Sequence, residues 1–148
     1  MTEILEYRYD KFVFRVPAGL RYTTDDLWLR MEGDQVLVGL TDFMQQRSGD
    51  AAFVELAAEG TRLSAGDALG QLETIKATVT LNCPVSATVT ARNEELEMTP
   101  ERVNQDPYGD GWLVTLAPDD PAQVDGLLTA AAYVELLAQK VATESAKL

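Results

Sequence analysis

The chain of 148 residues contains no histidine and a single cysteine, Cys83. Nucleophile–histidine catalysis and histidine-based acid–base chemistry are therefore absent, and the carboxylates form no evident catalytic pair. One thiol without histidine can build neither an intramolecular disulfide nor a structural zinc site. Basic residues are also scarce, with 12 Lys and Arg against 24 Asp and Glu, a formal net charge of −12. Such a field repels the phosphate backbone that supplies most nucleic-acid affinity, and anionic membranes for the same reason. No apolar run approaches the length needed to span a bilayer, and the start, MTEILEYRYDKFVF, lacks the basic patch and apolar stretch of a leader. A cytoplasmic protein without nucleic-acid or membrane partners is expected. Glycine-rich segments with nucleotide-binding spacing are missing too, and Gly109 and Gly111 around Asp110 read as a turn.

What remains is a succession of short strands. Aromatic and β-branched residues are dense from Tyr7 to Val16 and stop at Pro17, which predicts one strand. Leu27 to Met31 and Val36 to Leu40 flank Glu32-Gly33-Asp34-Gln35 and predict a hairpin. Thr41 is placed to cap a short helix through Arg47, with Gly49 just past its end. Further strands are expected at Ala52 to Leu56, Ala68 to Thr74, Thr78 to Asn82, Ala87 to Ala91 and Trp112 to Leu116. Thr99-Pro100-Glu101 and Asp120-Pro121 open short helical pieces. Residues 129–147 form the longest predicted helix, with Tyr133, Leu136, Leu137 and Val141 on one face. The expected fold is mainly β, a flattened antiparallel barrel or sandwich with short helices and a C-terminal helix. Its organisation is an N-terminal strand extension over residues 1–19 and a single domain over 20–148. Trp28 and Trp112 read as core, and Asp25 with Asp26 as a solvated acidic turn.

Lys76 is the only lysine between Lys11 and Lys140, and it lies midway between two strand-like segments. A chain reversal must fall beside it. Tight hairpins usually carry Gly, Asn or Asp there, yet this tip carries Ile75 and Ala77. An apolar pair flanking a projecting amine makes a docking face for an enzyme that must find one lysine, with Glu73 and Thr74 leading into it. A surface lysine by itself is ordinarily a solvated charge.

Several stretches, in order, carry a family resemblance: Trp28-Leu29-Arg30, Val38-Gly39-Leu40-Thr41-Asp42, Gly49-Asp50 with Phe53-Val54-Glu55-Leu56, and Gly66-Asp67. They continue through Glu73-Thr74-Ile75-Lys76-Ala77, Pro84-Val85-Ser86, Val103-Asn104, Pro107-Tyr108 and Gly111-Trp112. From about Leu20 to Leu137 the chain resembles the glycine cleavage system H protein family, a lipoyl-domain family. The resemblance implies a carrier, not an enzyme, with lipoic acid joined by an amide to Lys76. It implies a lipoate-protein ligase or lipoyl transferase as the modifying partner. Biotin carriers share the hairpin plan, but their lysine usually sits between two methionines.

Some positions depart from the family. In H proteins a cleft for the loaded arm uses a Ser and a Glu ahead of the Trp, a His after Thr-Asp, and an Asp four residues beyond the lysine. Those positions here are Asp25, Leu27, Phe43 and Thr80. Losing two counter-charges and a polar ring disfavours a cationic aminomethyl cargo. The expectation is therefore the H-protein-like lipoate-binding branch, carrying sulfur in cytoplasmic sulfur oxidation with a heterodisulfide-reductase-like complex; dihydrolipoate suits that cargo by thiol–disulfide exchange. The alternatives are a glycine cleavage H protein serving the glycine cleavage enzymes, and an unmodified docking module. Cys83 is a further candidate for the arm cleft, although a free cysteine is more often a small buried core residue.

Overall fold

The computed structural model describes residues 3–144. It opens on two antiparallel strands, β1 (Ile4–Tyr9) and β2 (Phe12–Pro17), paired from Ile4↔Pro17 to Tyr9↔Phe12. This corrects the single strand expected over Tyr7 to Val16. The polar pair Asp10-Lys11 breaks the aromatic run, and Asp10 takes φ 53 to reverse the chain, a conformation that Asp tolerates better than most residues.

The chain continues through β3 (Arg21–Tyr22), β4 (Leu27–Glu32) and β5 (Gln35–Leu40) into helix α1 (Asp42–Ser48). The Thr41 side chain accepts a hydrogen bond from the Met44 N–H at the start of α1, and Gly49, at φ 87, ends it. Both are the predicted caps. Strands β6 (Ala51–Leu56), β7 (Arg62–Leu63), β8 (Ala68–Thr74), β9 (Thr78–Asn82) and β10 (Ala87–Arg92) follow. Two single-turn helices, α2 (Glu95–Met98) and α3 (Arg102–Gln105), precede β11 (Val114–Pro118), and α4 (Ala122–Asp125) precedes α5 (Ala130–Glu144). β11 begins two residues later than expected and leaves Trp112 half-buried ahead of it. The predicted helical residues beyond Glu144 lie outside the described residues.

The body is an antiparallel sandwich. One sheet has the order β3-β4-β5-β11-β10-β7 and the other β6-β8-β9. Leu29, Val38 and Leu116 from the first sheet meet Val54, Leu72 and Leu81 from the second in one core, each fully buried side chain contributing roughly 1.5–3 kcal/mol. A second core lies on the outer side of the first sheet. There Phe14 and Val16 of the N-terminal hairpin pack with Trp28, Phe43 and the α5 residues Tyr133, Leu137 and Val141. The apolar face of α5 thus lies against the hairpin and β3, at the spacing read from the sequence.

Candidate functional site

Lys76 sits in the loop Ile75-Lys76-Ala77 that joins β8 to β9, beyond the last ladder pair Glu73↔Thr78. None of these residues needs a positive φ, because Thr74 closes the turn instead. Its Oγ1 accepts hydrogen bonds from the N–H groups of Lys76 and Ala77, both at 3.2 Å, while its backbone N–H donates to the Ala77 carbonyl at 2.9 Å. A hydroxyl thereby does what Gly or Asn does in commoner hairpins, and the tip is free to be apolar. Ile75 is 81% exposed. Glu73 is exposed on β8, opposite Phe53 of β6.

The Lys76 side chain runs back over the end of α1. Its Nζ donates to the Arg47 carbonyl at 3.2 Å, one of the carbonyls that a helix C-terminus leaves without an internal partner and where positive charge is favourable. Its Cε lies 3.0 Å from where a Cβ on Gly49 would stand, so Gly49 is the floor under the lysine stem. Among the described residues no carboxylate pairs with the amine. Asn104 braces the same corner: its Nδ2 donates to the Gly49 carbonyl at 2.9 Å and to Gln45 Oε1 at 3.1 Å, and its Oδ1 accepts from the Ala51 N–H at 2.8 Å.

The five residues proposed for an arm cleft differ in exposure, and three of them are buried. Leu27 is buried in the sandwich core and Phe43 in the second core, under Phe14, with ring centroids 5.2 Å apart and edge to face. Cys83 is buried with its Sγ 3.2 Å from the Val85 carbonyl, and burial pushes its thiol up from the ordinary value. Asp25 is exposed in the turn before β4, and Thr80 is exposed on β9. Asp26, expected to be solvated, is 1% exposed instead. It accepts from the Tyr133 hydroxyl at 2.9 Å and from Lys140 Nζ at 2.8 Å, and Arg47 lies 3.6 Å away. No group of three or more Cys, Asp or Glu among the described residues could hold a metal ion.

The family model for the glycine cleavage H-protein matches residues 20–140. The chain belongs to the glycine cleavage H-protein family. It is 48% identical over 120 residues to a probable glycine cleavage system H protein of Haloarcula marismortui, covering 81% of this chain and 94% of that protein. A second relative, the glycine cleavage system H protein of Magnetococcus marinus, is 47% identical over 122 residues, covering 82% of this chain and 87% of its own length. The crystal structure of the Mycobacterium marinum H protein superposes with a TM-score of 0.74 at 33% identity, covering 84% of this chain and 98% of the other.

The hairpin β1–β2 precedes the segment that the family model matches. It is nevertheless bonded to the H-protein body at α1. The Arg15 N–H donates to Asp42 Oδ2 at 2.9 Å, Gln46 Nε2 donates to the Val13 carbonyl at 2.9 Å, and the Tyr108 hydroxyl donates to the Arg15 carbonyl at 2.6 Å. Tyr108 also accepts from the Asp42 N–H at 3.0 Å, and burial pushes its phenol well above the ordinary range. The Asp10-Lys11 pair was the sequence signal for this hairpin, and the polar outward positions Glu6, Arg8 and Arg15 were the signal that one side faces water.

Proposed function

We propose that this chain is a lipoate-bearing carrier, modified on Lys76, and that it serves as the H protein of a glycine cleavage system. The observation that carries the reading is an exposed lysine at the end of the β8–β9 hairpin, its amine held, among the described residues, by a backbone carbonyl alone. The residues fit the group. Acylation removes a charge that has no carboxylate partner among the described residues, and the apolar flank Ile75 and Ala77 offers a ligase or transferase a recognisable face. When bound, lipoate supplies a dithiolane that can carry an aminomethyl unit, and the chain contributes attachment and presentation rather than catalysis. Tethering raises the local concentration of cargo at each partner active site. A cytoplasmic location accords with this role, and no helix among the described residues is long and apolar enough to cross a membrane.

The sulfur-carrying reading rests on four replaced positions. Two of them, Leu27 and Phe43, are sealed in separate cores and present nothing to an arm at the surface, which weakens the case from lost counter-charges. The names of the relatives favour glycine cleavage. Expression with a lipoate ligase followed by intact mass measurement tests attachment: the wild-type chain gains one lipoyl group and Lys76→Arg gains none. Incubating the lipoylated protein with glycine and its decarboxylating partner then tests the cargo. An aminomethyl mass increment is expected, and its absence on a fully lipoylated protein would return the reading to sulfur.

A further inference from the structure

We infer that the outer edge of β1 pairs antiparallel with β1 of a second copy of this chain, joining two N-terminal hairpins into one continuous sheet. The strand lies ahead of the family-matched residues 20–140, so this surface is an addition to the H-protein body. Nothing in it depends on what Lys76 carries.

The hairpin ladder decides which backbone groups β1 turns outward. The Ala18 N–H donates to the Glu3 carbonyl at 2.7 Å, which makes Glu3 and Ala18 a hydrogen-bonded pair. Bonded pairs alternate along an antiparallel ladder, so Leu5↔Val16, Tyr7↔Phe14 and Tyr9↔Phe12 are bonded as well. The residues between them point their N–H and C=O groups away from the hairpin. On β2 such groups find partners in the body: the Val13 carbonyl accepts from Gln46, Arg15 bonds Asp42 and Tyr108, and the Pro17 carbonyl accepts from the Tyr22 hydroxyl. On β1 they belong to Ile4, Glu6 and Arg8. Among the described residues no second strand and no backbone hydrogen bond meets them, and all three residues are exposed.

Charge selects both the occupant and the register. An open edge is ordinarily guarded by charged side chains that discourage pairing, but charges that alternate in sign are complementary to themselves in an antiparallel arrangement. Glu6 and Arg8 alternate in this way, and they already pair along the strand at 3.1 Å. With Tyr7 opposite Tyr7 of the second copy, Glu6 faces the other Arg8 and Arg8 faces the other Glu6. Both are pairs of outward-bonding residues, so each exchanges two backbone hydrogen bonds, and opposite charges directly across a ladder stabilise it. Centring the pairing on Glu6 or on Arg8 sets like charges face to face, and centring it on Leu5 sets Glu6 opposite Ile4. On the other face of the strand, Leu5, Tyr7 and Tyr9 are only half-buried against the second core. The second copy lays the same three side chains beside them, which adds an aromatic cross-strand pair at Tyr7.

Sedimentation velocity of the full chain tests the inference. Loading from about 1 μM to about 300 μM spans the affinity of a small, weak interface, and a monomer–dimer equilibrium is expected. A monomer throughout overturns the inference. Glu6→Pro deletes an outward N–H and leaves the hairpin's own bonds, to which Glu6 does not contribute. With the fold intact by circular dichroism, it is expected to weaken association at least about ten-fold; unchanged association means that the copies meet elsewhere and overturns the inference. Glu6→Arg and Arg8→Glu each set like charges across the two strands. Each alone is expected to remain monomeric where the parent associates, and an equimolar mixture of the two to recover the dimer; a mixture that stays monomeric overturns the inference. Single cysteines then read the register, with oxidised glutathione as the oxidant and Cys83 buried alike in every variant. Tyr7→Cys is expected to cross-link faster than Leu5→Cys or Glu6→Cys, because position 7 alone faces itself, at the close spacing of about 4.5 Å between Cα atoms of a non-hydrogen-bonded pair. Faster cross-linking at position 5 or 6 overturns the pairing stated here.

Discussion

Lys140 on α5 places its ammonium 2.8 Å from the carboxylate of Asp26, a residue 1% exposed and held at φ 70. The same carboxylate accepts from Tyr133, whose hydroxyl lies 2.8 Å from the Thr41 Oγ1 that caps α1. One buried charge thus ties the C-terminal helix to the helix under Lys76. Removing the ammonium leaves that charge, among the described residues, with the more distant Arg47 to balance it. Lys140→Met is expected to cost on the order of 2–3 kcal/mol, since a buried carboxylate that loses its nearer counter-ion is expensive. Urea unfolding checks this, and a loss below about 0.5 kcal/mol, typical of an exposed pair, would refute it.

Thr74 holds the tip of the β8–β9 hairpin through one hydroxyl that serves two N–H groups. Thr74→Val keeps the β-branched shape and removes the acceptor, with an expected loss of about 1 kcal/mol and a looser Lys76 loop. The rate of lipoylation by a ligase, followed by intact mass, should fall several-fold. Thr74→Ser should restore it. A Val variant modified at the wild-type rate would show that the turn does not depend on this hydroxyl.

Much of this arrangement was legible in the sequence, and the remainder was hidden for definite reasons. Alternating apolar residues bounded by Gly, Pro and Asn located the strands from β4 onward apart from β7, and Thr41 with Gly49 located α1, because those signals are local. Lys76 stood out for the same reason, between two β patterns. The hairpin β1–β2 was hidden because Asp10 and Lys11 are a weak turn signal within a strong aromatic run, and β3 and β7 are too short to show a period. Burial of Asp26, Leu27 and Phe43 follows from tertiary partners far along the chain, such as Tyr133, Lys140 and Phe14, whereas burial of Cys83 is what a free cysteine leads one to expect. A side chain's identity at a family position does not reveal which core closes over it.

Gly39 stands opposite Trp28 in the β4–β5 ladder, and a Cβ there would come within 2.6 Å of the indole ring. The indole lies across the glycine and donates from Nε1 to the Pro107 carbonyl at 2.9 Å. Gly39→Ala must displace a ring packed in the second core. Destabilisation of about 1–3 kcal/mol is expected from overpacking, together with a change in tryptophan fluorescence. An alanine variant as stable as the parent, with unchanged emission, would mean that the ring is free to shift.

Alkaline pH should unfold this protein through its tyrosines. Burial pushes the phenols of Tyr22 and Tyr133 well above their ordinary value of 10.0, and for Tyr133 the Asp26 carboxylate adds to the effect. In the unfolded chain these groups lose their protons near pH 10.0, while the folded protein retains them. The native state then binds more protons, so stability is fully present below that pH and declines as pH rises above it. The slope approaches about 1.4 kcal/mol per pH unit for each buried phenol. Urea midpoints measured at about pH 9 and about pH 11 should show the loss. Tyr22→Phe removes one titrating group together with its hydrogen bond to the Pro17 carbonyl, so the variant begins less stable but loses less across the alkaline range. Parallel pH profiles for the two proteins would show that Tyr22 does not carry its share of the linkage.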